Sequence, residues 1–173
     1  LGIVHESSRL LLALINEMLD LSRIEAGRLQ FNIEPFDLGE LLRRHVEAVR
    51  PQCDEKGLTL HCDIAPEVGK VTSDPKRVAQ IVVNLLTNAI KFTSVGNVAL
   101  FARALDGYVE ITVRDTGPGI PENEMVYLFK PFMQGGNAQR SHREGAGLGL
   151  AIARHLARAL GGDIVVQSQP GAG

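Results

Sequence analysis

Residues 74–92 read DPKRVAQIVVNLLTNAIKF, and two carboxamides stand in the middle of an otherwise apolar pattern. Asp74 followed by Pro75 marks a helix start. An Asp side chain accepts from free first-turn amides, and Pro at the first helical position gives up an N–H that would have no partner there. Val78, Ile81, Val82, Leu85, Leu86 and Ala89 then recur at helical spacing, which predicts an amphipathic helix with one buried face. Asn84, Asn88 and Lys91 follow the same spacing and share roughly one face. Buried carboxamides must find partners. Two readings stay open: the amides bond neighbouring loops, or their oxygens ligate a hard cation such as Mg²⁺ while Lys91 meets a phosphate.

The flanks predict an α/β arrangement. NVALFARAL (97–105) and YVEITVRDT (108–116) alternate and are joined at Asp106-Gly107, the signature of a hairpin. Upstream, RLQFNIEPF (28–36), LTLHCDI (58–64) and a short stretch around Val71 are expected as strands. Asp37 to Glu40 forms a capping box that opens a helix to about Glu55, with Pro51 expected to kink or weaken it. Downstream, PENEMVYLF (121–129) predicts a short helix, 133–146 a polar loop, GLGLAIARHLARAL a helix and GDIVVQSQ a last strand. Hairpins among helices imply a mixed rather than a parallel sheet.

Composition narrows the function. The chain has 173 residues, 45% hydrophobic and 22% charged, with a net charge of −2. That balance argues against nucleic-acid binding through a basic face, and the absence of tryptophan argues against base-stacking platforms. No apolar run is long enough to span a bilayer; LLLALINEMLDL is broken by Asn16, Glu17 and Asp20. Cys53 and Cys62 form no CxxC pair, so reduced thiols and a cytoplasmic location are expected.

Three further motifs carry chemistry. Asp115-Thr-Gly-Pro-Gly-Ile120 ends a strand with two glycines behind an acid, either as a tight turn or as a place where backbone approaches a ligand and the carboxylate accepts from an exocyclic amine. Gly145-Ala-Gly147-Leu148-Gly149-Leu opens the last helix, where free amides favour phosphate. It is neither GxGxxG nor GxxxxGK[ST], which excludes the dinucleotide and Walker-type readings. Phe129-Lys-Pro-Phe132 alone would be a turn with two core aromatics.

Taken in order, these motifs resemble those of the sensor histidine kinases. NLLTNAIKF resembles their N box, DTGPGI their first glycine box, FKPF their F box and GAGLGL their second glycine box. The resemblance covers nearly the whole chain. It implies the Bergerat ATP-binding fold shared with gyrase-type and mismatch-repair ATPases: an α/β (α+β) sandwich with a mixed sheet backed by helices, preceded by one long bundle helix. It implies ATP and Mg²⁺ as cofactors, with Asn88 as main metal ligand and Asn84 close by. Lys91 would reach the phosphates and Phe92 would line the adenine pocket. Asp115 would bind the adenine amine on a floor shaped by Gly117, Gly119 and Ile120. Phe129 and Phe132 would anchor a lid over 133–146, and Gly145, Gly147, Leu148 and Gly149 would close over the phosphates. Arg140 or Arg143 would be the candidates at the γ-phosphate.

The same resemblance places residues 1–27, with INEMLDLSRIEAG, as the second helix of a dimerisation bundle, and 28–173 as the catalytic domain with its last strand missing. Val4, Leu11, Ile15 and Met18, beside Leu10, Leu14, Leu21 and Ile24, make a stripe broad enough for several partner helices. The acceptor of the family lies in a box like H-E-x-x-T-P. His5-Glu6 is followed by Ser-Ser-Arg with no Thr-Pro, so His5 is not expected to be the acceptor, nor are His45, His61, His142 or His155. The expected partners are ATP, a second copy through the bundle helix, and a response-regulator receiver domain, without membrane contact by this chain. A degenerate nucleotide-binding or dimerisation module and a gyrase-type ATPase are the alternatives. The ATPase would need a glutamate where Asn84 stands.

Overall fold

The computed structural model describes residues 26–132 and 147–173, together with 15, 18, 19, 22 and 23. The expected lid over 133–146, His5 and most of the expected bundle helix lie outside the described residues.

Strand β1 (Glu34–Asp37) leads directly into helix α1 (Leu38–Lys56), with Asp37 as N-cap and its carboxylate accepting from the Glu40 amide at 2.8 Å. The helix runs through Pro51 and ends on Gly57 in the left-handed conformation. Strands β2 (Thr59–Ile64) and β3 (Lys70–Ser73) follow, then helix α2 (Pro75–Phe92), capped by Asp74 as the sequence predicts. The hairpin is β4 (Asn97–Leu105) and β5 (Tyr108–Asp115), with Gly107 at φ 84 in its turn. A single turn of helix, α3 (Glu122–Met125), precedes helix α4 (Gly149–Ala159).

The main sheet has the order β2-β4-β5. β2 lies parallel to β4 and β5 antiparallel to it, so the sheet is mixed. β1 and β3 form a separate antiparallel pair. Alternation sends Val98, Leu100 and Ala102 of β4 to one face, against Leu42, Val46 and Val49 of α1 and Val82, Leu86 and Ile90 of α2. α4 packs on α2 rather than on the sheet. Leu148, Ile152 and Leu156 meet Ile81, while Ala153 and Ala157 meet Ile81 and Leu85. Helix α2 is therefore covered on two sides, which is why its apolar stripe is wide.

One expected strand is absent and another is reduced to its last residues. Of 28–36, only Glu34 onward is strand; Leu29 and Phe31 instead pack on Leu148, Ile152 and Leu156, and the Asn32 amide donates to Asp74 Oδ2 at 2.9 Å. In 163–169, Ile164 and Val166 turn inward and Val165 outward, yet no ladder forms. The backbone amides find other acceptors: Ile164 N–H bonds Asp163 Oδ1 and Gln169 N–H bonds Gly173 O, both at 2.8 Å. The short helix is also cut back, from 121–129 to Glu122–Met125, with i→i+3 turns after it.

Candidate functional site

Helix α2 is the spine of the site. At its middle, Asn84 Nδ2 donates to Gly149 O at 3.1 Å and so ties the carboxamide face to the start of α4. The side chain of Asn88, half-buried one turn further on, makes no hydrogen bond among the described residues and keeps its oxygen available. Helix α4 begins at Leu148, which supplies no side-chain cap. The first amides of an uncapped helix carry partial positive charge and want an anion or water. Asn84 and a helix N-terminus thus share one end of the site, with Asn88 one turn further along α2.

The other end lies where α2 stops. Thr93 is fully buried, and its hydroxyl donates to Ala89 O at 2.7 Å while standing 3.5 Å from Asp115 Oδ1. The same carboxylate oxygen accepts the Gly117 amide at 2.8 Å. Gly117 is buried, and a methyl group there would press on Asp115 Oδ1 at 2.7 Å and Thr93 Oγ1 at 3.3 Å. Asp115 is thereby oriented through one oxygen, with Oδ2 left for an incoming donor. From Asn84 to Thr93 the helix advances about 13 Å at its regular rise, which separates a phosphate-seeking end from a donor-seeking end.

The loop after Asp115 is pinned from behind. Ile120 N–H donates to Ser168 Oγ at 2.8 Å, and Gly171 N–H to Pro118 O at 2.7 Å. Gly119, at φ 68, lies against the Gln169 backbone so closely that a Cβ would overlap its carbonyl. Phe92 and Phe132 are exposed, Phe132 with a positive φ of 62. The Lys91 ammonium sits 5.1 Å from the Phe92 ring centroid. Phe129 goes into the core beside Ala153 and Ala157, under the Arg154 guanidinium at 4.3 Å. Leu148 has no exposed side chain and belongs to the core, so only its backbone can face a ligand. Gly147, at φ 70, is the first residue described after 133–146, and Gly145, Arg140 and Arg143 are outside the described residues.

Sequence reasoning passed over Thr93, Lys56 and Ser168. A buried threonine just past a helix end was the one available signal for Thr93. Neither Lys56 nor Ser168 has a local pattern, because each acts on a segment far away in the chain. The histidines of α1 and α4 are occupied locally, His45 and His155 each pairing Nδ1 with the carbonyl four residues back at 2.8 Å. An open cleft of about 360 Å³ between Phe129, Lys130 and Arg154 touches neither Asn88 nor Asp115. Asp163, beyond the far end of α4, is held well below the usual carboxylate range by Arg154, then Arg158 and the Ile164 amide.

Among the described residues no trio of His, Cys, Asp or Glu is placed to hold a metal ion. The oxygen donors on offer are the neutral carboxamides of Asn84 and Asn88. That set fits a Mg²⁺ that keeps waters and takes further ligands from substrate phosphates, and does not fit a closed structural cage.

A mixed sheet backed by helices, with an amide-bearing helix between a glycine-acid turn and a glycine-led helix, defines a nucleotide-binding ATPase-type domain. The chain belongs to the histidine kinase-, DNA gyrase B- and HSP90-like ATPase family, whose model matches residues 73–173. It is 42% identical over 171 residues to the sensor histidine kinase RcsC of Salmonella typhimurium, covering 98% of this chain and 18% of that protein. It is 40% identical over 179 residues to the signal transduction histidine-protein kinase BarA of Escherichia coli, covering 100% of this chain and 20% of that protein. The chain spans about a fifth of the length of these curated relatives. Among solved structures, full-length ShkA in complex with AMPPNP superposes with a TM-score of 0.87 at 35% identity, over 99% of this chain and 35% of that one. The Acinetobacter baumannii histidine kinase AdeS gives 0.82 at 25% identity, over 98% and 78%. No helix among the described residues is long and apolar enough to cross a membrane.

Proposed function

We propose that this chain is the ATP-binding catalytic part of a two-component sensor histidine kinase, with residues 1–27 as the second helix of the dimerisation domain and 28–173 as the catalytic domain. The observation that carries this reading is the double use of α2, which through Asn84 is tied to the start of α4, where Leu148 supplies no side-chain cap, and through Thr93 meets the oriented carboxylate of Asp115. The AMPPNP in the complex of the related ShkA supports it.

In this reading Asp115 Oδ2 accepts from the adenine amine, Gly117, Gly119 and Ile120 form the floor, and Phe92 borders the base. Lys91 and the α4 amides behind Gly147 and Gly149 hold the phosphates, and Asn88, with Asn84, supplies amide oxygen to Mg²⁺. The metal, when bound, offsets charge on the phosphate oxygens. The residues of this chain position the triphosphate and exclude water; they add no nucleophile. In the whole protein the γ-phosphoryl passes to a histidine on the dimerisation bundle and then to an aspartate of a response-regulator receiver domain. The bundle helix pairs two copies, and the setting is cytoplasmic. The relatives reported above are histidine kinases, and nothing favours the gyrase-type or degenerate alternative.

The test is paired. Calorimetric titration of ATP with and without Mg²⁺ should show metal-dependent binding that Asn88→Ala removes. Incubation with γ-labelled ATP should leave no acid-labile label on this chain. Absence of binding by the unaltered protein overturns the reading; label lost in His5→Ala would make His5 the acceptor.

A further inference from the structure

The carboxyl end of α2 is closed from outside by a residue of another helix. Lys56, the last residue of α1, places its ammonium 2.5 Å from Ile90 O, 3.0 Å from Lys91 O and 3.5 Å from Thr93 O. A helix leaves its last carbonyls without intrahelical donors. The usual remedy, a left-handed residue folding amides back, is closed to α2, because Thr93 follows it in β conformation at φ −85, ψ 124. Lys56 supplies the missing donors and a positive charge at the negative end of the helix dipole. Lys56 is also the last residue of α1, so the end of one helix caps the end of the other.

The segment so clasped is the one that faces the site. Residues 91–93 carry the Lys91 and Phe92 side chains and the Thr93 hydroxyl beside Asp115. The Phe92 carbonyl lies against Gly117, 3.4 Å from where a Cβ would stand. We infer that Lys56 is a positioning residue for nucleotide binding: it fixes the backbone of residues 90–93 and, through Thr93 and Gly117, the place of the Asp115 carboxylate. It touches no ligand itself. The inference rests on the adenine-nucleotide reading of the site.

The experiment compares Lys56→Met, Lys56→Arg and Lys56→Ala with Val46→Ala, a stability control in the α1 core away from the clasp. Thermal midpoint and ATP affinity are measured for each. Lys56→Met keeps the aliphatic stem, leaves three carbonyls without their donor, and should bind ATP about five- to tenfold more weakly. Val46→Ala should lower the midpoint at least as much and leave affinity within about twofold. Lys56→Arg keeps the charge, but its planar fork does not converge on three carbonyls, so it should fall between. Ammonium chloride should partly restore the affinity of Lys56→Ala, and sodium chloride at equal ionic strength should not. If the unaltered protein binds ATP and the Lys56 variants match it, or merely follow their thermal midpoints as Val46→Ala does, the positioning role is wrong. If the unaltered protein binds no ATP, the functional reading fails and this inference with it.

Discussion

Replacing Asp115 by Asn separates a turn-forming acid from a ligand-reading one. Oδ1 already accepts the Gly117 amide at 2.8 Å and stands 3.5 Å from the Thr93 hydroxyl. An Asn whose carbonyl oxygen takes that position keeps both contacts, so the loop should hold and the thermal midpoint should move by less than about 2 °C. The change falls on Oδ2, which becomes an NH₂ group. If Oδ2 accepts from the adenine amine, a charge-assisted bond worth about 1.5–3 kcal/mol is lost and two donors are left facing each other at about 1–3 kcal/mol. Together these come to roughly 2.5–6 kcal/mol, or about two to four orders of magnitude in ATP affinity. Guanine presents a carbonyl where adenine presents its amine, so the same NH₂ should find an acceptor in GTP. Titrating ATP and GTP into both proteins reads the outcome as a ratio. A shift of at least about tenfold toward GTP is expected from the new donor. Equal weakening of both nucleotides, or ATP affinity unchanged within about threefold, would refute the role given to Asp115.

Thr93→Val removes one buried neutral hydrogen bond. The Ala89 carbonyl keeps the Thr93 backbone amide at 3.1 Å, so the loss should be about 1 kcal/mol and a few degrees of thermal midpoint; because the same hydroxyl stands 3.5 Å from Asp115 Oδ1, ATP affinity should fall about three- to tenfold. Gly119→Ala puts a methyl group into the Gln169 carbonyl at a left-handed φ of 68, and should cost about 2 kcal/mol or more and roughly 5 °C in a melting scan. Relief from the strain would have to come at the Ile120–Ser168 and Pro118–Gly171 bonds, which amide exchange reads directly. Asp163→Asn tests a pH dependence. A carboxyl whose native pKa is lowered adds stability above its unfolded value near 3.9 and loses it as pH falls toward the native value. The melting gap between Asp163→Asn and the unaltered protein should therefore be present at neutral pH and shrink below about pH 4; a gap independent of pH would exclude Asp163 as its source. The pair is solvent-facing, so the gap should be small.

The elements most legible in the sequence were those whose signal is local. Asp74-Pro75 and Asp37 fixed two helix starts to the residue, because caps act within one turn. Asp106-Gly107 fixed the hairpin, because a two-residue turn sets the register. The misread strands failed for one physical reason. Leu29 and Phe31, like Ile164 and Val166, alternate because one side of the chain is buried. Alternation reports sidedness, and a ladder also needs a neighbour with free amides and carbonyls at the right register. Residues 28–33 lie on helices, where no such neighbour exists.

The site divides along the same line. Asn84 and Asn88 stood out because polar groups in apolar surroundings violate a local pattern, and Asp115 because two glycines follow it at a strand end. What joins them did not stand out. Thr93 connects the end of α2 to Asp115 across 22 positions in sequence, and Lys56 reaches the same helix end across 34. Both contacts exist only after β4 and β5 have laid the Asp115 turn beside Thr93 and α1 has packed on the sheet. The residues that meet a ligand are then readable from composition against pattern, while those that hold them in place are readable only from geometry. A substitution at Lys56 would pass for a surface change in the sequence, and its effect on the site follows only from which carbonyls its ammonium reaches.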